Sequence, residues 1–112
     1  MITTLLERAG FATIVAISGN DALKQFTNEV DVVLTDCTLP DLNGAQLAAR
    51  LLERKPTLCT LFMSGSLSTT CGLGIPMEAG VNFLEKPFQA EHLVVLVENG
   101  FRKVKNATNQ GR

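Results

Sequence analysis

Residues 30–44 read VDVVLTDCTLPDLNG, and the fold is decided here. Val30 to Thr35 is a short apolar run rich in β-branched residues, and it stops at Asp36. A run of that length bounded by turn formers reads as a buried strand. CTLPDLNG then has loop composition, with Pro40, Asp41, Asn43 and Gly44 as its turn residues. Asn43 and Gly44 open a helical pattern that runs to Arg54, with Leu47, Ala48, Leu51 and Leu52 on one side. Asn43 caps it, since a short side-chain oxygen there accepts an otherwise orphaned N–H, and Pro56 stops it.

The same alternation extends outward. Phe11 to Ile17 (FATIVAI), Leu58 to Met63 (LCTLFM) and Val81 to Leu84 (VNFL) read as further buried strands. Asp21 to Glu29 places Ala22, Leu23 and Phe26 on one helical side, with Ser18 and Asp21 spaced as a capping box. Ala90 to Val104 does the same with Leu93, Leu96, Val97, Phe101 and Val104. Apolar strands alternating with amphipathic helices predict an α/β fold, a doubly wound parallel sheet covered on both faces. Ser64 to Gly80 (SGSLSTTCGLGIPMEAG) is the weak stretch, where Gly72, Gly74 and Pro76 oppose a long helix; a short or frayed helix is expected. Met1 to Arg8 looks like the end of an amphipathic helix, and Asn106 to Arg112 has linker composition. One domain is expected over residues 1–105, followed by a flexible tail over 106–112.

Composition narrows the function. The 112 residues are 46% apolar with a formal net charge of −1, which suits one globular core. Near-neutral charge argues against a nucleic-acid or membrane-surface module. No apolar run approaches a membrane span, and the start has no basic leader, so a cytoplasmic location is expected. Cys37, Cys59 and Cys71 are scattered, without a C-x-x-C, and His92 is the only histidine. Neither a disulfide framework nor a structural zinc site is expected; each cysteine reads as a small core filler.

In open parallel sheets, ligands bind beyond the carboxyl ends of the strands. Three successive strands end there in Asp36, in Ser64 and in Glu85-Lys86-Pro87. A carboxylate can attack phosphorus to give an acyl phosphate. A lysine and a hydroxyl beside it neutralise and bind phosphoryl oxygens, and a divalent ion such as Mg²⁺ is expected to bridge carboxylate and phosphate.

At these residues the sequence resembles the receiver domains of two-component response regulators. VVLTDCTLPDLNG is similar to their phosphoacceptor segment, and GVNFLEKPF to the end of their last strand. The resemblance covers Ile2 to Lys105 and implies the flavodoxin-like receiver fold. It implies that Asp36 is the phosphoacceptor, that Ser64 is the switch hydroxyl and Phe83 the aromatic switch, and that Lys86 contacts a phosphoryl oxygen. Pro87 would follow a cis peptide bond, Pro40 and Gly44 would be structural, and the backbone carbonyl of Thr38 would join Asp36 as a metal ligand. It also implies a histidine kinase or phosphotransfer domain as partner, a homodimer through the last helix or the sheet, and an origin such as a hybrid sensor histidine kinase.

One departure stands out. Receiver domains open with an interior strand ending in an acidic pair that holds Mg²⁺, and neither is found before FATIVAI. The metal site is therefore expected to be incomplete, with Mg²⁺ bound weakly or not at all. Asp21, Asp41 and Glu85 are the nearest replacement carboxylates, each more simply a helix-start, loop or surface residue. Three explanations compete: a fragment or misassigned start, pairing with a second copy or partner across the gap, or a degenerate receiver without metal. The functional reading is a phosphorelay receiver, a signalling domain rather than an enzyme. The alternative is a degenerate receiver acting as a phosphorylation-independent interaction module. An aspartyl-phosphate hydrolase of the haloacid-dehalogenase type is disfavoured, because Thr38 stands where that family has its second Asp.

Overall fold

A computed structural model describes residues 2–64 and 82–110, with the side chains of the last helix described up to residue 104. The helix expected within 64–80 lies outside the described residues, Ser64 apart. The element order is α1 (Ile2–Arg8), α2 (Gly19–Gln25), β1 (Val32–Asp36), α3 (Gly44–Arg54), β2 (Cys59–Ser64), β3 (Phe83–Glu85) and α4 (Ala90–Gln110). The strands form a parallel three-stranded sheet in the order β1-β2-β3.

Side chains alternate across this sheet, as the pleat requires. Leu61 and Met63 of β2 and Leu84 of β3 pack with Leu93, Leu96 and Val97 of α4 and Leu6 of α1. Phe62 and Phe83, one residue out of phase, pack on the other face with Cys37, Ala45 and Ala48. Leu47, Leu51 and Leu58 continue that second face toward Ala22, Leu23 and Phe26 of α2. Helices α1 and α4 thus cover one face, and α2 and α3 the other. Burial of these apolar faces is the main drive for the architecture.

The helix starts follow their capping residues. Asn43 Oδ1 accepts from the Gln46 N–H at 2.8 Å, and Gln46 Oε1 accepts from the Asn43 N–H at 3.0 Å, a complete reciprocal box. Ser18 Oγ accepts from the Asp21 N–H at 3.0 Å. The return bond is displaced: Asp21 Oδ2 accepts from the N–H of Ile17 at 3.0 Å, not from Ser18.

Three expectations are corrected. Phe11 to Ile17 contains no strand among the described residues, and Ile14, Val15 and Ile17 are 60%, 60% and 84% exposed. A strand exists only by pairing, and strand propensity reflects fit to a half-buried pleated surface. Among the described residues β1 is the edge of the sheet and pairs with β2 alone, so the run is left without a ladder. Phe11 is held by stacking on Phe101, ring centroids 5.0 Å apart, and the Val15 carbonyl accepts from Gln25 Nε2 at 2.8 Å. Second, α4 continues to Gln110 rather than ending near Val104, so the expected linker is helical backbone as far as Gln110. Its NATNQ composition holds no Gly or Pro to stop a helix before Gly111. Third, Cys37 is disulfide-bonded, whereas Cys59 is a free thiol. Bridging depends on Cα separation in space, which spacing along the chain does not reveal.

Candidate functional site

Parallel pairing brings the three strand ends together. Asp36 closes β1 opposite Met63, and Ser64 closes β2 opposite Glu85 of β3. The ladder runs one residue further on each side: the Cys37 N–H donates to the Met63 carbonyl at 2.9 Å, and the Lys86 N–H donates to the Ser64 carbonyl at 2.7 Å. Sequence-distant residues thereby line one cleft of about 260 Å³, formed by Asp36, Cys37, Thr38, Met63, Ser64 and Lys86. Across it, Lys86 Nζ donates to Asp36 Oδ1 in a direct ion pair. Both side chains remain partly open, at 43% and 40% exposure for Lys86 and Asp36, so an incoming anion can reach them. Ser64 is buried at the floor.

The loop after Asp36 is tightly built. The Leu39 N–H donates to the Leu42 carbonyl at 3.1 Å, and Thr38 and Asn43 form an antiparallel bridge. Gly44 donates its N–H to the Cys37 carbonyl at 2.8 Å. Only glycine fits there, because a Cβ would stand 2.4 Å from the Asp36 carbonyl oxygen. Asp41 pins this loop to the start of α2 by accepting from the N–H groups of Gly19 at 2.9 Å and Asn20 at 2.8 Å. The Asn20 N–H foremost, then that of Gly19, holds the Asp41 carboxyl below its ordinary range, against a push from desolvation.

The sequence-predicted residues Asp36, Ser64, Lys86 and Thr38 meet in this cleft. Pro87 follows a cis peptide bond with Lys86. Phe83 is fully buried beside Phe62, Ala45, Ala48 and Cys37, behind the cleft rather than lining it. Cys37 and Met63 were read only as core. Their signal was present, since one follows Asp36 directly and the other precedes Ser64.

Comparison with known proteins bears on the fold and the family. Residues 1–98 match the family model described as the response regulator receiver domain. The chain is 30% identical over 101 residues to the Sensor kinase CckA of Brucella abortus, a match covering 88% of this chain and 11% of that protein. It therefore spans only a small part of that relative. A solved response regulator receiver domain protein from Clostridium thermocellum superposes with a TM-score of 0.76 at 25% identity, over 95% of this chain and 86% of that one. The receiver domain of NtrX from Brucella abortus superposes with a TM-score of 0.76 at 23% identity, over 90% and 87%.

Receiver domains generally bind Mg²⁺ at an acidic pocket. Mg²⁺ demands near-octahedral oxygen ligands and is usually held through one or two carboxylates together with phosphate oxygens. Among the described residues no group of three or more His, Cys, Asp or Glu lies together, and the cleft is lined by one carboxylate, that of Asp36. Asp21 accepts from the Ile17 N–H just before α2 and Asp41 from N–H groups of α2 itself, and neither they nor Glu85 line the cleft. The described donor set does not fit the ion. With its alternating parallel architecture and its family match, this chain belongs to the response regulator receiver domains, the phosphoryl-accepting signalling domains of two-component systems.

Proposed function

We propose that Asp36 is the phosphoacceptor of this receiver. The observation that carries the reading is the Lys86–Asp36 ion pair at the joined ends of three parallel strands. A carboxylate oxygen of Asp36 attacks the phosphorus of a phosphohistidine on a histidine kinase or phosphotransfer domain. The P–N bond breaks, its electron pair returns to the imidazole, and an acyl phosphate remains on Asp36. Lys86 neutralises the charge gathering on the phosphoryl oxygens. The Ser64 hydroxyl and the ring of Phe83 act as the switch that relays the new charge into the fold, with Pro87, Pro40 and Gly44 as structural supports. Mg²⁺ contributes little or nothing in this chain.

The domain signals and does not turn over a substrate. A second copy would pair through the α4 flank that exposes Val95 or along the open edge of β1. No described helix is long and apolar enough to cross a membrane, and a cytoplasmic location is part of the proposal. The test is exposure to acetyl phosphate followed by intact mass measurement. Gain of one phosphoryl group, removed by hydroxylamine and absent in Asp36→Asn, supports it; equal labelling of Asp36→Asn refutes it.

A further inference from the structure

We infer that in this chain the ammonium of Lys86 takes the place of a divalent cation at the Asp36 carboxylate. The inference deepens the phosphoacceptor reading of the same cleft and takes its functional meaning from it. It stands on the disagreement between the family's metal and the donors present. A divalent site needs negative charge in excess, yet the described lining of the cleft offers one carboxylate, and that carboxylate already bears a cation.

None of the other described acids lines the cleft. Asp41 holds the N–H groups of Gly19 and Asn20 at the start of α2, and Asp21 accepts from the N–H of Ile17 just before it. Asp31 pairs with Lys55 at 3.0 Å, at the opposite end of β1. Glu85 closes β3 outside the cleft lining. Between residues 65 and 81 the sequence holds a single acid, Glu78, which lies outside the described residues. On the outer side of Asp36 no described strand follows β1, so no neighbouring strand end delivers a further carboxylate there.

Electrostatics then makes the two cations rivals. An ion seated at Asp36 would stand within a few ångströms of the Lys86 charge, a repulsion that weakens its binding about tenfold even at the dielectric of water. Mg²⁺ also sheds its water reluctantly, and a single shared carboxylate offers little in return. Lys86 is tethered by its backbone bond to Ser64, so its ammonium is held beside Asp36 without the entropy cost of capturing a free ion.

The test is titration of the isotope-labelled chain with Mn²⁺, read as paramagnetic broadening of the amide signals of Asp36, Cys37 and Thr38. The wild type should show no saturable broadening below about 1 mM, the weak end of protein divalent sites. Lys86→Ala should bind Mn²⁺ about tenfold more tightly, matching the repulsion removed, with Asp36→Asn/Lys86→Ala returning to the wild-type response. Saturable submillimolar broadening in the wild type overturns the inference, as does unchanged affinity in Lys86→Ala. Neither readout involves phosphorylation, so failed labelling of Asp36 with this Mn²⁺ pattern intact would sink the phosphoacceptor reading alone.

Discussion

Gly44 lies so close to Asp36 that a Cβ at position 44 would stand 2.4 Å from the Asp36 carbonyl oxygen and 3.2 Å from Thr35 Cγ2. The first turn of α3 is therefore seated directly on the strand end that carries Asp36. Gly44→Ala must push helix and strand apart, and backbone has no rotamer with which to yield. Overpacking of this kind costs about 1–3 kcal/mol. Urea unfolding should show a loss in that range, with Asp36 labelling slowed as well; an unchanged midpoint would mean that the contact is not formed.

Asp41 ties the loop after Asp36 to the start of α2. Its folded carboxyl titrates below the ordinary range because it accepts from Asn20 and Gly19. A depressed folded value contributes stability above the unfolded pKa and loses it as pH falls through the folded one. The Asp41→Asn chain should be less stable than wild type at pH 7. The gap in urea midpoint should close on acidification below the ordinary Asp range. A gap that persists or widens in acid would contradict the charge's role.

The segment that follows α1 offers a third check. Ile14 and Ile17 are 60% and 84% exposed and pair with no described strand. Substitutions at exposed sites away from special features stay within about 0.5 kcal/mol. Ile14→Ser and Ile17→Ser should shift stability by no more than that, and the amides of residues 12–16 should exchange rapidly with solvent. Protection like that of β2, or a loss of several kcal/mol, would place this segment in a packed sheet.

Lys86 has a kinetic role to measure. It is the only described side chain that brings positive charge to the cleft lining. Removing one preorganised charge-stabilising donor costs about 10²–10³ in rate. Lys86→Ala should label with acetyl phosphate about a hundredfold more slowly, and the wild-type rate should be nearly the same with EDTA as with Mg²⁺. Strict dependence on Mg²⁺ would contradict the metal-poor cleft.

The meeting of Asp36, Ser64 and Lys86 was legible in the sequence because strand ends in a parallel sheet must come together, whatever their separation along the chain. Capping was equally readable at Asn43 and Ser18, since it depends on side chains three residues apart. FATIVAI misled for the opposite reason: its β-branched composition is real, but a strand needs a partner in register, and no described strand pairs with residues 11–17. The close approach of Gly44 to Asp36 and the bridge at Cys37 are distances in space, which residue types alone do not encode. The length of α4 was underestimated because polar composition was read as linker, although no helix breaker precedes Gly111.

The central claim is that phosphorus bonds to one carboxylate, that of Asp36. Borohydride reduction converts an aspartyl phosphate to homoserine, and peptide mapping by mass spectrometry then locates it. After treatment with acetyl phosphate, homoserine should be found at position 36 and should be lost in Asp36→Asn. Homoserine at Asp31 or Asp41 instead, or none anywhere in a chain shown to be folded, would contradict the account.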